Sequence, residues 1–251
     1  MAAGRRRFGV SRLSLLGAVL SALVALPVLA GDVTAPLVHA QDRWLYKNNH
    51  EVNGVGHPSE DESTVVRVSA GGILMATRTL GSNLPPKEQL VGSDWSRSRS
   101  VNGVDKVVNR PLAFPLSEGK NWVIDYREDN PNREHKYEIF HSKFVVTGWE
   151  QVTVPAGTFN ALKIESDGQW TAENAPAVST ASTTRADGQG ATAIVQANKV
   201  QATIGTGRTY KAFWYVPEVK RWVKSVEEYY GSNEVLTSRY SSELESYTVA
   251  Q

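Results

Sequence analysis

Two histidines beside four carboxylates are the first place to look for chemistry. His50 and His57 stand near Glu51, Glu60, Asp61 and Glu62. Converging His, Asp and Glu side chains can hold a metal ion. No strict ligand spacing joins these six, and they flank a turn signal at Asn53-Gly54, which fits an exposed hairpin equally well. His135 and His141 are too far apart along one extended segment to share an ion, and they read as solvent-exposed. Nucleophiles are scarcer still. The chain has no cysteine and no Gly-x-Ser-x-Gly elbow. Glu227-Glu228 and the pair Glu243 and Glu245 fit solvated strand faces better than a glycosidase pair. Gly205-Thr206-Gly207 opens a strand, so it offers no helix N-terminus to a phosphate. Lys211, Lys220, Arg221 and Lys224 gather near one turn, where Glu218, Glu227 and Glu228 mark a solvated hairpin tip. The expectation is a non-enzymatic protein with no catalytic residue, no metal site and no cofactor.

Aromatic side chains are the more distinctive content. The chain carries seven Trp and nine Tyr against two Met. Consecutive aromatics, at Phe213 to Tyr215 and at Tyr229-Tyr230, must point to both faces of an extended segment. A sheet that is apolar on both faces needs a cover on each, and one cover can be an apolar ligand. The residues expected to line such a ligand site are Trp122, Trp149, Trp170, Trp214, Tyr215 and Trp222. The competing account of the same residues is core and cross-strand packing.

The elements that would position them are strands. In Gln151 to Glu165, Val152 and Val154 alternate with polar residues before Pro155-Ala156-Gly157. Leu162 and Ile164 share a face after it, with Lys163 and Glu165 on the other. Phe213 to Glu228 repeats the plan around Val216-Pro217-Glu218-Val219. Trp44 and Tyr46 share a face of a first strand that ends at Asn53-Gly54. Further strands are expected over Thr64 to Ala70, Ile73 to Leu80, Trp122 to Arg127, Lys136 to Val146 and Leu236 to Tyr247. A hairpin is expected around Asn102-Gly103. Pro85-Pro86 marks a loop with one helical turn from Lys87. Residues 171–190 are rich in Ala, Ser, Thr and Gly and read as a flexible loop or lid. Regularly spaced short strands give an all-β fold, an antiparallel sheet with few short helices.

The N-terminus has a different character. Arg5, Arg6, Arg7 and Arg12 precede an apolar run from Leu13 to Ala30, with small-residue sites at Val28-Leu29-Ala30 and Val38-His39-Ala40. This is the pattern of a signal peptide over residues 1–40, cut after 30 or 40, ahead of a single β domain at 41–251. The reading places the chain in the periplasm or outside a bacterial cell, with no membrane span after cleavage. The Sec and twin-arginine routes both stay open. Removing residues 1–40 changes the formal charge from +1 to a balance of 23 basic and 25 acidic residues. A near-neutral chain of this kind gives no electrostatic case for nucleic acid.

Three stretches carry a resemblance. They are Phe-Pro-Leu at 114–116 leading to Gly119-Lys120 and Trp122, Val154 to Phe159 followed by Ala161 to Ile164, and Trp214 to Lys224. Together with the export signal they resemble uncharacterised bacterial envelope proteins of the domain-of-unknown-function class, some of which are similar to the LolA/LolB-like lipoprotein carriers. The resemblance covers roughly the second half of the mature chain. It implies a strongly curved sheet, a half-open barrel whose concave face can hold acyl chains. It carries over no catalytic residue, and this chain lacks the well-patterned amphipathic helices that plug such carriers. The expected function is therefore binding of an apolar ligand, a lipid or a lipoprotein segment. The alternative is an envelope scaffold that binds a protein through a sheet edge or an aromatic patch.

Overall fold

The alternation of Arg43 to Val52 sends Trp44 and Tyr46 inward, where they are 0% and 5% exposed. The strand then reverses at Asn53-Gly54 with φ of 49° and 82°, the paired positive values of a type I′ hairpin turn. Asn102-Gly103 repeats the device at 50° and 80°. These observations come from a computed structural model that describes Met1 and residues 31–133, 135–174, 177–186, 192–201 and 203–250, without the side chains of 177–186 and 192–201.

Among the described residues fourteen strands follow in chain order. They are β1 (Arg43–Val52), β2 (Val55–Ser69), β3 (Gly72–Thr79), β4 (Lys87–Val91), β5 (Arg97–Val101), β6 (Val104–Asn109) and β7 (Asn121–Asp129). The rest are β8 (His135–Val154), β9 (Gly157–Asn174), β10 (Ala177–Ala186), β11 (Thr192–Gln201), β12 (Ile204–Val216), β13 (Arg221–Tyr230) and β14 (Leu236–Thr248). One 3₁₀ turn, Pro217–Val219, joins β12 to β13 and is closed by Lys220 in the left-handed region. Ten strands form one antiparallel sheet in the order β4-β3-β2-β1-β14-β13-β12-β9-β8-β7, and β5–β6 and β10–β11 are separate hairpins. The all-β architecture expected from the sequence is the one found.

The sheet is open, because β4 and β7 are its two edges. It is also strongly curved. From β4 to β12 is six steps, which would span about 29 Å in a flat sheet. Yet Gln89 of β4 and Phe213 of β12 line one small cavity. One part of the concave face is filled by Trp44, Val65, Ile73, Leu112, Leu116, Phe144, Ile164, Phe213 and Tyr215, all nearly fully buried. Each such side chain contributes roughly 1.5–3 kcal/mol on leaving water.

Three expectations need correction. Lys87 starts strand β4 and not a helical turn. Residues 171–174 continue β9, and 177–186 pair with 192–201 in register from Ala177↔Gln201 to Ala186↔Thr192. Small and β-branched residues can satisfy a backbone ladder without showing a core face, so the lack of large apolar residues gave a false loop signal. Strand β2 begins at Val55 and not at Thr64. Its first half is polar on both faces, which hides the two-residue period.

The residues just before β1 are also built in. Val33 and Leu116 exchange backbone hydrogen bonds of 2.8 and 2.7 Å, and Val38 is 5% exposed within the core. The compact unit accordingly starts at Gly31. A cut after Ala30 leaves these contacts intact, whereas a cut after Ala40 removes them. The basic and apolar residues 2–30 of the expected signal lie outside the described residues. No helix among the described residues is long and apolar enough to cross a membrane.

Candidate functional site: a strapped cavity under the curved sheet

The β5–β6 hairpin lies across the concave face and is tied down at several points. The Asn102 side-chain amide donates to the Arg127 carbonyl at 3.1 Å and accepts from the Asp129 N–H at 2.8 Å. Arg99 pairs with the buried Glu128, and its guanidinium lies 5.5 Å from the Tyr126 ring centroid. On the approach to β5, the Trp95 indole N–H donates to the Lys220 carbonyl at 3.1 Å and the ring packs edge-on against Trp44.

Three adjoining cavities of about 250, 650 and 520 Å³ remain beneath this strap. Arg97 lines all three. The smallest has an aromatic end, formed by Tyr46, Trp95, Phe213 and Trp222, with Arg221 among them. The 650 Å³ cavity is mixed, lined by Asn48, His50, Asp61, Glu227, Tyr229 and Tyr240 among others. The 520 Å³ cavity has a wall of Tyr126, Phe140, Trp170 and Tyr229. Tyr126 and Phe140 stack there at 5.4 Å between centroids.

The interior electrostatics are tuned by burial. Lys211, 7% exposed, pairs with Glu227 at 2.8 Å. Burial pushes the Glu227 carboxyl up. The Lys211 ammonium, the Arg97 charge and the Tyr229 hydroxyl outweigh it, so the pKa ends below its ordinary value. Burial pushes the Tyr46 hydroxyl up to about 12 against the pull of Arg221. That hydroxyl donates to the Trp222 carbonyl at 2.6 Å. Asp61 accepts from the Asn48 amide at 3.0 Å and the Thr79 hydroxyl at 2.6 Å. By contrast, Asn109 Oδ1, Thr209 Oγ1 and two nitrogens of Arg221 are buried without a hydrogen-bond partner. All three residues line the cavities. Buried polar atoms seldom stay unpaired, so their gathering here marks a polar interior.

The six aromatics expected at a ligand site are dispersed. Trp170 lines the 520 Å³ cavity and Trp222 the 250 Å³ cavity. Tyr215 is 1% exposed in the core, edge-on to Phe114 at 5.3 Å. Trp122 stacks on Phe144 at 5.3 Å and donates to the Arg110 carbonyl at 2.9 Å. Trp149 packs against the core. Trp214 projects from the opposite face, donating to Glu150 at 2.5 Å with the Lys163 and Lys224 ammonium groups 5.4 and 5.8 Å from its ring. Register shifts at Val146/Gly148 and Trp214/Tyr215 re-aim this part of the sheet. Such a bulge leaves little trace in the pattern of residues.

Sequence reasoning missed Arg97, Asn109, Thr209, Lys211, Arg221 and Glu227 as interior residues. The basic group around the second turn is not one solvated patch. Lys211 and Arg221 face inward, while Lys220 bonds Asp42 and the Ala250 carbonyl. His135 is likewise not free in solvent. It pairs with Glu138 at 2.6 Å and borders the 520 Å³ cavity. His50 stacks on Tyr240 at 3.9 Å. Among the described residues no group of three or more His, Asp or Glu is arranged to hold a metal ion.

Trp170 keeps its place through glycine. Its indole lies across Gly205 and Gly207 of the neighbouring strand β12, where Gly207 pairs with it in register. A Cβ at Gly207 would sit 2.2 Å from the Tyr230 carbonyl oxygen and 2.5 Å from Trp170 Nε1. Gly207→Ala is expected to cost about 2 kcal/mol in chemical denaturation. Gly205→Ala, with a closest contact of 3.6 Å, should cost clearly less.

Fold and cavities define an all-β protein with an open, strapped sheet and an interior of mixed polarity. No family model matches the chain, and no curated protein matches it. It is similar to two solved structures. One is a candidate lipoprotein from Parabacteroides distasonis ATCC 8503, at 16% identity and a TM-score of 0.45, covering 86% of this chain and 99% of that one. The other is a candidate exported protein with a YmcC-like fold from Bacteroides fragilis NCTC 9343, at 13% identity and a TM-score of 0.38, with the same coverage of both chains. Likeness of this order assigns neither family nor function. Neither relative is described as a LolA- or LolB-like carrier.

Proposed function

We propose that this is an exported, non-enzymatic binding protein that holds a lipid-like ligand between the curved sheet and the β5–β6 strap. The observation that carries the reading is the unfilled space. A core-only sheet would close its concave face with side chains, whereas here a run of cavities borders aromatic rings and unpaired polar atoms. An apolar chain against Tyr126, Phe140, Trp170 and Tyr229 would gain about 0.8 kcal/mol per buried methylene, less the costs of association. The export half of the proposal rests on the basic and apolar N-terminus. A scaffold that binds a protein through a sheet edge has less behind it. Edge strand β4 is short and opens on Lys87 and Glu88, charges that resist edge pairing.

Titration with laurate and with lauryl alcohol, each below the concentration at which it self-associates, tests the reading through tryptophan fluorescence. Trp95, Trp170 and Trp222 line the cavities and report occupancy directly. A saturable change with at least one compound is expected. No change with either would overturn the proposal.

A further inference from the structure

Arg221 is a cation without a counter-charge. Its guanidinium carbon lies 5.3 Å from the Trp44 ring centroid, 5.5 Å from Tyr46, 5.0 Å from Trp95 and 4.7 Å from Trp222. Nε and Nη1 are sealed from solvent and bond nothing. The side chain keeps some accessible surface and borders the 250 Å³ cavity, and Nη2 is the one guanidinium nitrogen not sealed. Most other described arginines of the sheet and strap have an acid. Arg78 pairs with Glu62, Arg99 with Glu128, Arg110 with Asp94, and Arg239 with Glu51 and Glu228. Among the described residues Arg221 makes no ion pair, and the cavity's own acids are engaged elsewhere. Glu227 is held by Lys211, and Asp61 by Asn48 and Thr79.

Burying an unpaired charge is costly, and the ring faces offset only part of that cost. They supply no negative charge and no hydrogen-bond acceptor. A methionine of similar length would fill the box at no electrostatic cost.

We propose that the 250 Å³ cavity takes the carboxylate of a singly charged acyl or aryl acid, paired to Arg221 through Nη2. This deepens the binding function proposed above and rests on it. The aromatic box accepts the first apolar carbons beside the carboxylate, and the rest of the ligand runs toward the larger cavities past Arg97. One open nitrogen on Arg221 suits a monoanion, because Arg97, the other arginine lining this cavity, lends its charge to Glu227. A phosphate monoester would bring a second charge and further oxygens that the box leaves unmet.

The test compares laurate with lauryl alcohol, which share a chain and differ in charge, on the wild-type protein and on Arg221→Met. Wild type should bind laurate at least about tenfold more tightly than the alcohol. Arg221→Met should lose that preference and keep its affinity for the alcohol. Replacing an unpaired buried charge by an apolar side chain of similar length is neutral or stabilising, so the variant should fold. If it does not fold, the thermal shift of wild type decides, because laurate must raise the melting temperature more than the alcohol does. Equal affinity of wild type for both compounds, or undiminished laurate binding by Arg221→Met, overturns the carboxylate assignment and leaves the binding function standing. Binding of neither compound removes both.

Discussion

Trp44→Ala should destabilise the protein by about 4 kcal/mol, near the middle of the range for deleting a buried aromatic. Trp44 is 0% exposed. Its indole N–H donates to the Val219 carbonyl at 2.8 Å, which fixes the 3₁₀ turn between β12 and β13. One ring edge meets Trp95 at 5.5 Å between centroids. Truncation leaves a void, an unpaired carbonyl and a strap that has lost its footing. Trp44→Phe keeps most of the volume and should cost roughly half as much. Urea denaturation reads the effect as a lower midpoint at unchanged slope. A shift no larger than that of an exposed substitution would mean that β1 does not anchor the strap.

Lys211→Met comes second, at about 3 kcal/mol at neutral pH. The loss reflects Glu227 left inside with only Arg97 and the Tyr229 hydroxyl to face it. The pH dependence has a definite sign. The folded-state pKa of Glu227 is depressed from its ordinary 4.5. Its contribution to stability is therefore complete above 4.5 and is lost as pH falls through the lower folded value. Without Lys211, burial becomes the dominant influence on Glu227 and favours its protonated form. Wild type should thus lose stability on acidification where the variant loses less, and the gap between them should narrow. Denaturation at neutral pH and again well below 4.5 checks this. A gap of constant size would show that Lys211 acts through packing alone.

The strands and turns were legible because they rest on local chemistry. Asn-Gly pairs can adopt the two positive φ values a tight hairpin needs, and alternation put Trp44 and Tyr46 on one buried face. The cavity was not legible, for three physical reasons. Alternation says which residues share a face but not which face is concave, so Trp214 was placed on the wrong side. Polar strands such as the first half of β2 carry no hydrophobic period, so Asp61 read as part of an exposed cluster. A buried charge looks like an exposed one in sequence. Arg221 sits two residues from Val219 and next to Trp222, both packed with the core, and only the fold reveals that it points into the same box.

The central claim is that the strapped concavity is a place for a guest. Native mass spectrometry on protein purified without detergent, and again after adding laurate, measures this most directly. The expected result is a species heavier than the polypeptide by one ligand, already present or appearing with laurate. The bare polypeptide mass in both preparations would contradict it.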